Sequence, residues 1–456
     1  MHSVDLAIVG GGTAGISAGL RALELGLSTV ILERGQEIGG AAGIRLSGGA
    51  FHLALGDMRL DHDPMLAHVN KVTNQEIAPA IAEMIANRSK SSIAWLQKQG
   101  VELVPQGNEF GYVTIYPRGP SVPGRGFNRK AAPDKAMRTW HFRFVEQGGT
   151  IYYGARAKSL KPAPGGKGWI VEASSSEPEG LRVQAQSVIL ADGGFQANPK
   201  LLEKYLGPRA SKSALRAMTT ASGDGLTMAL EQGGYVAGEG RGVYGHILHR
   251  NAITDENFLP YPMFDALCLA SPVVDAKGRL FKHGAKDGPE LTYKMLMSSD
   301  PAGYTIIMDN ATWTGPAANG GGYHPAVNPA IEQKGGRVDS APTLAEAARK
   351  AGMDEKELAA SVEKFNATAK AKLGSGPYYA VPISAGVTFT FPGIAVNEKA
   401  EVVRKGGGAI VGLYAAGCAT GGIHGRGGGG GYLGGLGIAL ITGMLAAEGA
   451  AARKKA

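Results

Sequence analysis

VDLAIVGGGTAGISAGLRALELGLSTVILER, residues 4–34, is the stretch from which the fold of this chain can be read. Val4, Leu6, Ala7, Ile8 and Val9 make a short apolar run ending in glycines, which predicts a buried parallel strand that enters a tight turn. Gly10, Gly12 and Gly15 satisfy G-x-G-x-x-G. In that pattern the first glycine makes the turn, the second lets the backbone approach a pyrophosphate, and the third allows close helix-to-strand packing. The phosphates then sit on the N–H groups of the helix start, around Thr13 and Ala14. Ile16, Leu20, Ala22, Leu23 and Leu25 give that helix its apolar stripe, Gly26 stops it, and Ser28 to Leu32 form a second strand ending at Glu33 and Arg34. Glu33 is the expected acceptor of a ribose hydroxyl, and an acid there disfavours a 2′-phosphate. The ligand is therefore expected to be an adenosine dinucleotide such as FAD or NAD. An ordinary βαβ unit with a Gly-rich turn would explain the glycines alone, but not strand, glycines, helix, strand and acid in this order.

A chain of 456 residues suggests two or three domains. No uncharged apolar run has the length to span a bilayer, and the first strand begins almost at the first residue, so a cytoplasmic protein is expected. Cys268 and Cys418 stand far apart with no neighbours at metal-ligand spacing, which supports neither a disulfide framework nor a metal site. The net charge of +8 comes from lysines and arginines scattered among acids rather than gathered in a stripe. Nucleic acid is therefore not an expected partner, although the positive field would help attract an anionic small molecule.

Beyond Glu33, IGGAAGIRLSGGAFHLA (residues 38–54) brackets a loop of small residues with Gly39, Gly40, Ala41, Ser47, Gly48 and Gly49. Small side chains there would let the main chain lie along a flat ligand. Residues 75–99 and 131–147 read as helices, with a Gly- and Pro-rich stretch, 107–126, between them as a candidate wall of a pocket. Residues 149–191 read as strands and end in VILADGGF, which carries Ala191, Gly193 and Gly194. In ASGDGLTMALEQGG (221–234), Asp224 is a candidate helix cap. Residues 343–373 are two helices divided at Gly352, and GLYAAGCATGGIHGRGGGGGYLGGLGIALITGMLAAE (412–448) joins a strand, a glycine-rich crossing that includes Gly417, and a closing helix. The helix start at Gly434, Gly435 and Leu436 can offer N–H groups to a ring carbonyl.

These segments together resemble the flavoprotein family of fumarate reductases, succinate dehydrogenase flavoprotein subunits, tricarballylate dehydrogenase and 3-ketosteroid dehydrogenases. VILADGGF resembles the family's VVLATGGF, ASGDGLTMALEQGG its ATGDG helix start, and SPVVDAKGRLFKHGA (271–285) its cap hairpin. The resemblance implies an α/β protein with a Rossmann-like FAD-binding domain of the glutathione-reductase type and an inserted α+β capping domain. Its expected parts are an FAD-binding domain over 1–235 and 381–456 and a cap over 236–380. It also implies that FAD is held non-covalently, because no histidine lies between Gly39 and Gly49, where membrane-bound members carry the flavin-linked one.

The same resemblance implies hydride exchange between flavin N5 and a C–C bond next to a carbonyl or carboxylate of a small-molecule substrate. The resemblance implies an electron donor or acceptor but does not specify it. The proton-donating arginine of soluble fumarate reductases falls here near Gly288, and their HHTMGG segment corresponds to TFTFPG (388–393), so dedicated fumarate reduction is disfavoured. LTYK (291–294) and GYLGGLG (431–437) look like tricarballylate dehydrogenase segments. The candidates for proton transfer and substrate contact are Tyr293, Tyr244, His246, His424, Arg426 and Tyr432. An FAD-dependent oxidase or monooxygenase-like enzyme, and a non-catalytic flavin-binding protein, remain as alternatives.

Overall fold

The computed structural model describes residues 2–100, 102–105, 113–115, 132–174, 180–253, 261–319, 325–426 and 431–455. Most of the stretch 107–126, the candidate pocket wall, lies outside them.

The opening segment folds as its residues dictate. Strand His2–Val9 runs into helix Thr13–Glu24 and then strand Thr29–Glu33, which pairs parallel to the first with Leu6 opposite Thr29. Alternation along the first strand sends Leu6 and Ile8 into one core and Ala7 and Val9 into another on the opposite sheet face. The central sheet continues on both sides, in the order Glu401–Val403, Ala409–Ala415, Leu181–Leu190, His2–Val9, Thr29–Glu33 and Thr150–Tyr153. A hairpin of Ala157–Pro162 and Trp169–Ala173 packs antiparallel onto Leu181–Leu190. The run GTIYYGARAKSL is therefore two strands, one in the parallel sheet and one in the hairpin, separated by Gly154 at a φ of 71°.

Both faces of a parallel sheet must be covered. On one face lie helices Thr13–Glu24, Pro79–Gln97, Ala132–Glu146 and Gly435–Lys455. The last is long and apolar enough on average to cross a membrane, although Glu448 interrupts its apolar run, and 67% of its most apolar window is buried within the protein. Its apolarity is that of a core helix. At Gly443 a Cβ would stand 2.3 Å from the Ala14 carbonyl oxygen, so the two helices meet backbone to backbone.

The second sheet is built around the long strand Tyr378–Thr390. Val243–His249, Tyr304–Met308 and Asp339–Ala341 pair with it antiparallel, and Ala214–Leu215 pairs with it parallel. The expected boundary at residue 380 falls inside this strand, so the chain leaves the second sheet only after Thr390. Helices Leu344–Ala351 and Glu355–Thr368 cover it, divided at Gly352 as the sequence suggests. The apolar core on the hairpin side of the first sheet continues without a break into this second unit.

Candidate active site

Parallel sheets bind ligands beyond the carboxyl ends of their strands. Here Gly10, Glu33, Ala191 and Gly417 follow or end four adjacent parallel strands, and all four line one cavity of about 340 Å³. The cavity runs from Ala155, Arg156 and Ala157 at one end to Tyr244, His246, Thr388, Phe389 and Tyr432 at the other.

The glycine turn is built to leave a space at the helix start. A Cβ on Gly10 would meet the Ala191 carbonyl oxygen at 2.7 Å, and one on Gly15 would meet the Gly10 carbonyl oxygen at 1.8 Å, so both pack tightly against the frame. A Cβ on Gly12 would meet nothing within 4 Å, because that side faces the cavity. Helix Thr13–Glu24 begins there with no side-chain cap and no acid in its first turn. Its N–H groups and positive dipole end therefore face open space of the kind a pyrophosphate fills. These features fit FAD, and the residues present would hold its phosphates at Gly12, Thr13 and Ala14.

Glu33 is buried, and its carboxylate builds the entrance as well as lining it. One oxygen accepts the Gly11 N–H at 2.6 Å, and the other accepts those of Gly35 at 2.5 Å and Ala41 at 3.0 Å. His141, missed in the sequence, braces the turn from behind with Nε2 2.8 Å from the Gly11 carbonyl oxygen and Nδ1 accepting from Gly39 N at 3.2 Å. Burial holds this imidazole below its usual pKa, so it is neutral and fits one donor and one acceptor role. The small-residue loop is held by Arg45, which is fully buried, bonds the Gly40 carbonyl oxygen, and pairs with Asp134 at 2.5 Å and Glu37 at 3.2 Å.

Beside Ala155 and Ala157, Arg156 makes a bidentate pair with Asp224, both contacts at 2.7 Å, and Arg34 lies 3.9 Å from the same carboxylate. Asp224 is therefore not the helix cap expected for it. Gly223 holds the N-cap position in the left-handed region at φ 74°, and Asp192 reaches across from the end of Leu181–Leu190 to accept the Gly225 N–H at 2.8 Å. Burial raises the Asp192 carboxyl to a pKa of about 7, with the Asp224 charge adding to the rise.

Of the cofactor-binding residues expected from the sequence, Gly10, Gly12, Thr13, Ala14, Glu33, Arg34, Ala41, Ser47, Gly48, Ala191, Gly193, Gly417, Gly435 and Leu436 line the cavity. Gly15, Gly40, Gly49, Gly194 and Gly434 are not among the lining residues; at Gly434, for example, a Cβ would stand 2.5 Å from the His52 carbonyl oxygen. Gly15, Gly40, Gly194 and Gly434 allow close packing behind the wall rather than contact across it.

The candidates for chemistry divide into two groups. Tyr244, His246 and Tyr432 line the cavity together. The Tyr244 and Tyr432 rings are stacked with centroids 4.0 Å apart and planes at 14°, and the Tyr432 hydroxyl accepts the Gly435 N–H at 3.2 Å. His246 Nε2 lies 3.0 Å from the Tyr244 hydroxyl, and its Nδ1 lies 3.2 Å from Asp265 Oδ1. Asp265 was missed because it stands in another element, the helix Asp265–Ala270.

The other three stand apart. Tyr293 lies on helix Gly288–Leu296, its ring packed over Gly242 and its hydroxyl donating to the Gly240 carbonyl oxygen at 3.4 Å, outside the cavity lining. Arg426 is exposed and is anchored through its backbone N–H, which donates to Glu76 at 2.7 Å. His424 is buried beneath the cavity floor, stacked on Phe391 at 4.6 Å, with Nδ1 accepting from Leu433 N at 3.2 Å. Burial first, and the Arg241 charge second, push its pKa down to about 3, so it is a neutral brace for the turn. Further lining residues that the sequence did not single out are His52, Arg216 and Thr388. Among the described residues no cluster of His, Cys, Asp or Glu is arranged to hold a metal.

Comparison with known proteins agrees with this geometry. The model of the FAD binding domain family matches residues 5–432. A fumarate reductase (cytochrome) of Shewanella frigidimarina is 26% identical over 486 aligned positions, covering 99% of this chain and 78% of that protein. A 4-oxocyclohex-2-ene-1-carboxylate 5-dehydrogenase of Sinomonas cyclohexanicum is 26% identical, covering 97% of this chain and 92% of its own. The solved 3-ketosteroid Δ1-dehydrogenase of Sterolibacterium denitrificans superposes with a TM-score of 0.77 at 18% identity over 99% of this chain and all of that one, which shows a shared fold. The family match over nearly the whole length, on a cavity whose helix start and glycine turn fit a dinucleotide, places the chain in the FAD binding domain family, as an FAD-dependent oxidoreductase.

Proposed function

We propose that this enzyme exchanges hydride with a C–C bond adjacent to a carbonyl or carboxylate, and that Tyr244 transfers the accompanying proton. The bound FAD supplies the two-electron chemistry. The observation that carries the assignment is the chain Asp265–His246–Tyr244, hydrogen-bonded at 3.2 and 3.0 Å and ending in the cavity. The names of the similar fumarate reductase and cyclohexene carboxylate dehydrogenase, both redox enzymes of such bonds, support the reaction class.

The chain works in either direction. With Nδ1–H donated to Asp265, Nε2 accepts the phenol proton. As the Tyr244 oxygen takes a proton from the substrate carbon, its own proton passes to His246, and Asp265 stabilises the imidazolium. In the saturating direction the imidazolium returns that proton and Tyr244 protonates the carbon. Phe389 and Tyr432 flank the Tyr244 ring with centroids at 5.5 and 4.0 Å and fix its position, which keeps the phenol aimed before substrate arrives.

The test is the rate of anaerobic flavin reduction or reoxidation by an accepted substrate. Tyr244→Phe keeps the stacked ring and removes the proton, and is expected to lower the rate by roughly 10²-fold with FAD content unchanged. Tyr293→Phe, outside the cavity, is expected to leave it unchanged. The opposite pattern would return the proton-transfer role to Tyr293.

A further inference from the structure

Arg216 carries a charge in the cavity wall that no carboxylate among the described residues answers. Among the described residues three arginines line the cavity: Arg34 and Arg156 face Asp224, whereas Arg216 has no acidic partner at ion-pair distance among them. Its Nη1 donates to the Thr388 hydroxyl at 3.0 Å, its Nη2 points at the Met263 sulfur at 4.0 Å, and its Nε is enclosed without a hydrogen-bond partner. A half-buried guanidinium with donors left over, held by a hydroxyl and a thioether, is poised for an anion.

Its position in the fold says which anion. Residues 216–221 run along the cavity, and Arg34 binds the Thr220 carbonyl oxygen at 3.1 Å, so the Thr220 end belongs to the adenosine side. Arg216 is at the opposite end. Its N–H donates to the Val387 carbonyl oxygen at 2.8 Å, and on the other edge of that same strand His246 stands opposite Gly386 and Tyr244 opposite Phe389. Arg216, Thr388, Tyr244 and His246 therefore enclose the catalytic end, away from the helix start that fits the phosphates. The rest of that end is flat and aromatic: Tyr244 on Tyr432, with His52 edge-on to Tyr432 at 5.6 Å.

We infer that Arg216 is the anchor for a single substrate carboxylate, and that the substrate is a monocarboxylate whose planar unsaturated or cyclic frame lies against the Tyr244–Tyr432 pair. This inference rests on the proposed C–C redox reading and narrows its substrate class. A guanidinium takes a carboxylate through two parallel N–H donors, while the stacked rings take a flat carbon frame better than a flexible one. A dicarboxylate would bring a second charge to a wall whose other described arginines, Arg34 and Arg156, are already paired with Asp224.

The test uses binding rather than turnover. The oxidised holoenzyme is titrated with benzoate, succinate and benzyl alcohol, reading the perturbation of the flavin absorption spectrum and confirming by calorimetry. Benzoate is expected to bind more tightly than both others, and Arg216→Gln to weaken it by at least ten-fold while benzyl alcohol binding stays the same. Arg216→Lys, which keeps the charge but not the fork, is expected to fall between, and serves if the Gln variant does not fold. Unchanged benzoate binding in both variants, succinate binding as tightly as benzoate, or loss of FAD from both variants would overturn the assignment. If the anchor behaves as expected but no unsaturated carboxylate oxidises the reduced flavin, the reaction reading fails while the binding site stands.

Discussion

His424 shows how burial converts a residue that looks reactive into a structural one. In GIHGRGGGG it invites a substrate-binding role, yet its ring is stacked on Phe391 and its Nδ1 accepts the Leu433 N–H. Its folded pKa of about 3 lies below the ordinary 6.5. Below pH 6.5 the unfolded chain therefore binds a proton that the folded protein refuses, and the contribution of His424 to stability, complete above that pH, drains away as pH falls towards 3. The expected outcome is that His424→Gln, which does not titrate there, shows a shallower fall of Tm across this acid range than the unchanged protein. Equal slopes would mean that the imidazole is protonated in the fold. Tyr293 makes the same point through register: on helix Gly288–Leu296 the neighbours Leu291, Thr292 and Met295 are buried inward, which turns Tyr293 towards Gly240 and Gly242 instead of the cavity.

At the level of elements, the strand–turn–helix at the start was legible because its causes are local. An apolar alternation selects the strand, and three glycines satisfy three separate steric demands within one turn. Those demands predict different outcomes for neighbouring substitutions. Gly12→Val places its side chain where nothing stands within 4 Å, so the protein is expected to fold with near-normal Tm as apoprotein and to retain little FAD. Gly15→Val drives into the Gly10 backbone and is expected to abolish soluble protein, since overpacking against main chain costs about 1–3 kcal/mol or more. Stoichiometric FAD in purified Gly12→Val would show that the turn does not hold the phosphates. The catalytic end was only partly legible. Tyr244 and His246 are two residues apart on one strand and were recognised together, but Asp265 is 19 residues from His246, and Arg216 meets Thr388 across 172 residues. No periodicity or spacing encodes contacts that exist only once the second sheet is assembled around Tyr378–Thr390.

The whole molecule places a cavity at the carboxyl ends of one sheet and closes its Tyr244 and His246 end with strands of another. Its two halves differ in character. The side of Asp224 and Glu33 is polar and already paired, through Asp224 with Arg156 and Glu33 with backbone N–H groups, whereas the far side combines stacked aromatic rings, a hydrogen-bonded Asp–His–Tyr chain and Arg216. That division supports the proposed reading, in which the cofactor is clamped at one end and a second, smaller molecule reacts at the other. Oxygen chemistry and passive flavin carriage are the competing readings, and neither requires the Asp265–His246–Tyr244 chain that reaches the cavity. The most direct test is to reduce the holoenzyme under strict anaerobiosis and add, one at a time, unsaturated carboxylates, cyclic enones and dioxygen while following the flavin absorbance. The account predicts rapid return of the oxidised spectrum with at least one carboxylate or enone, one double bond saturated per flavin. Reduced flavin that persists against every such acceptor, or that is reoxidised by dioxygen alone, would contradict it.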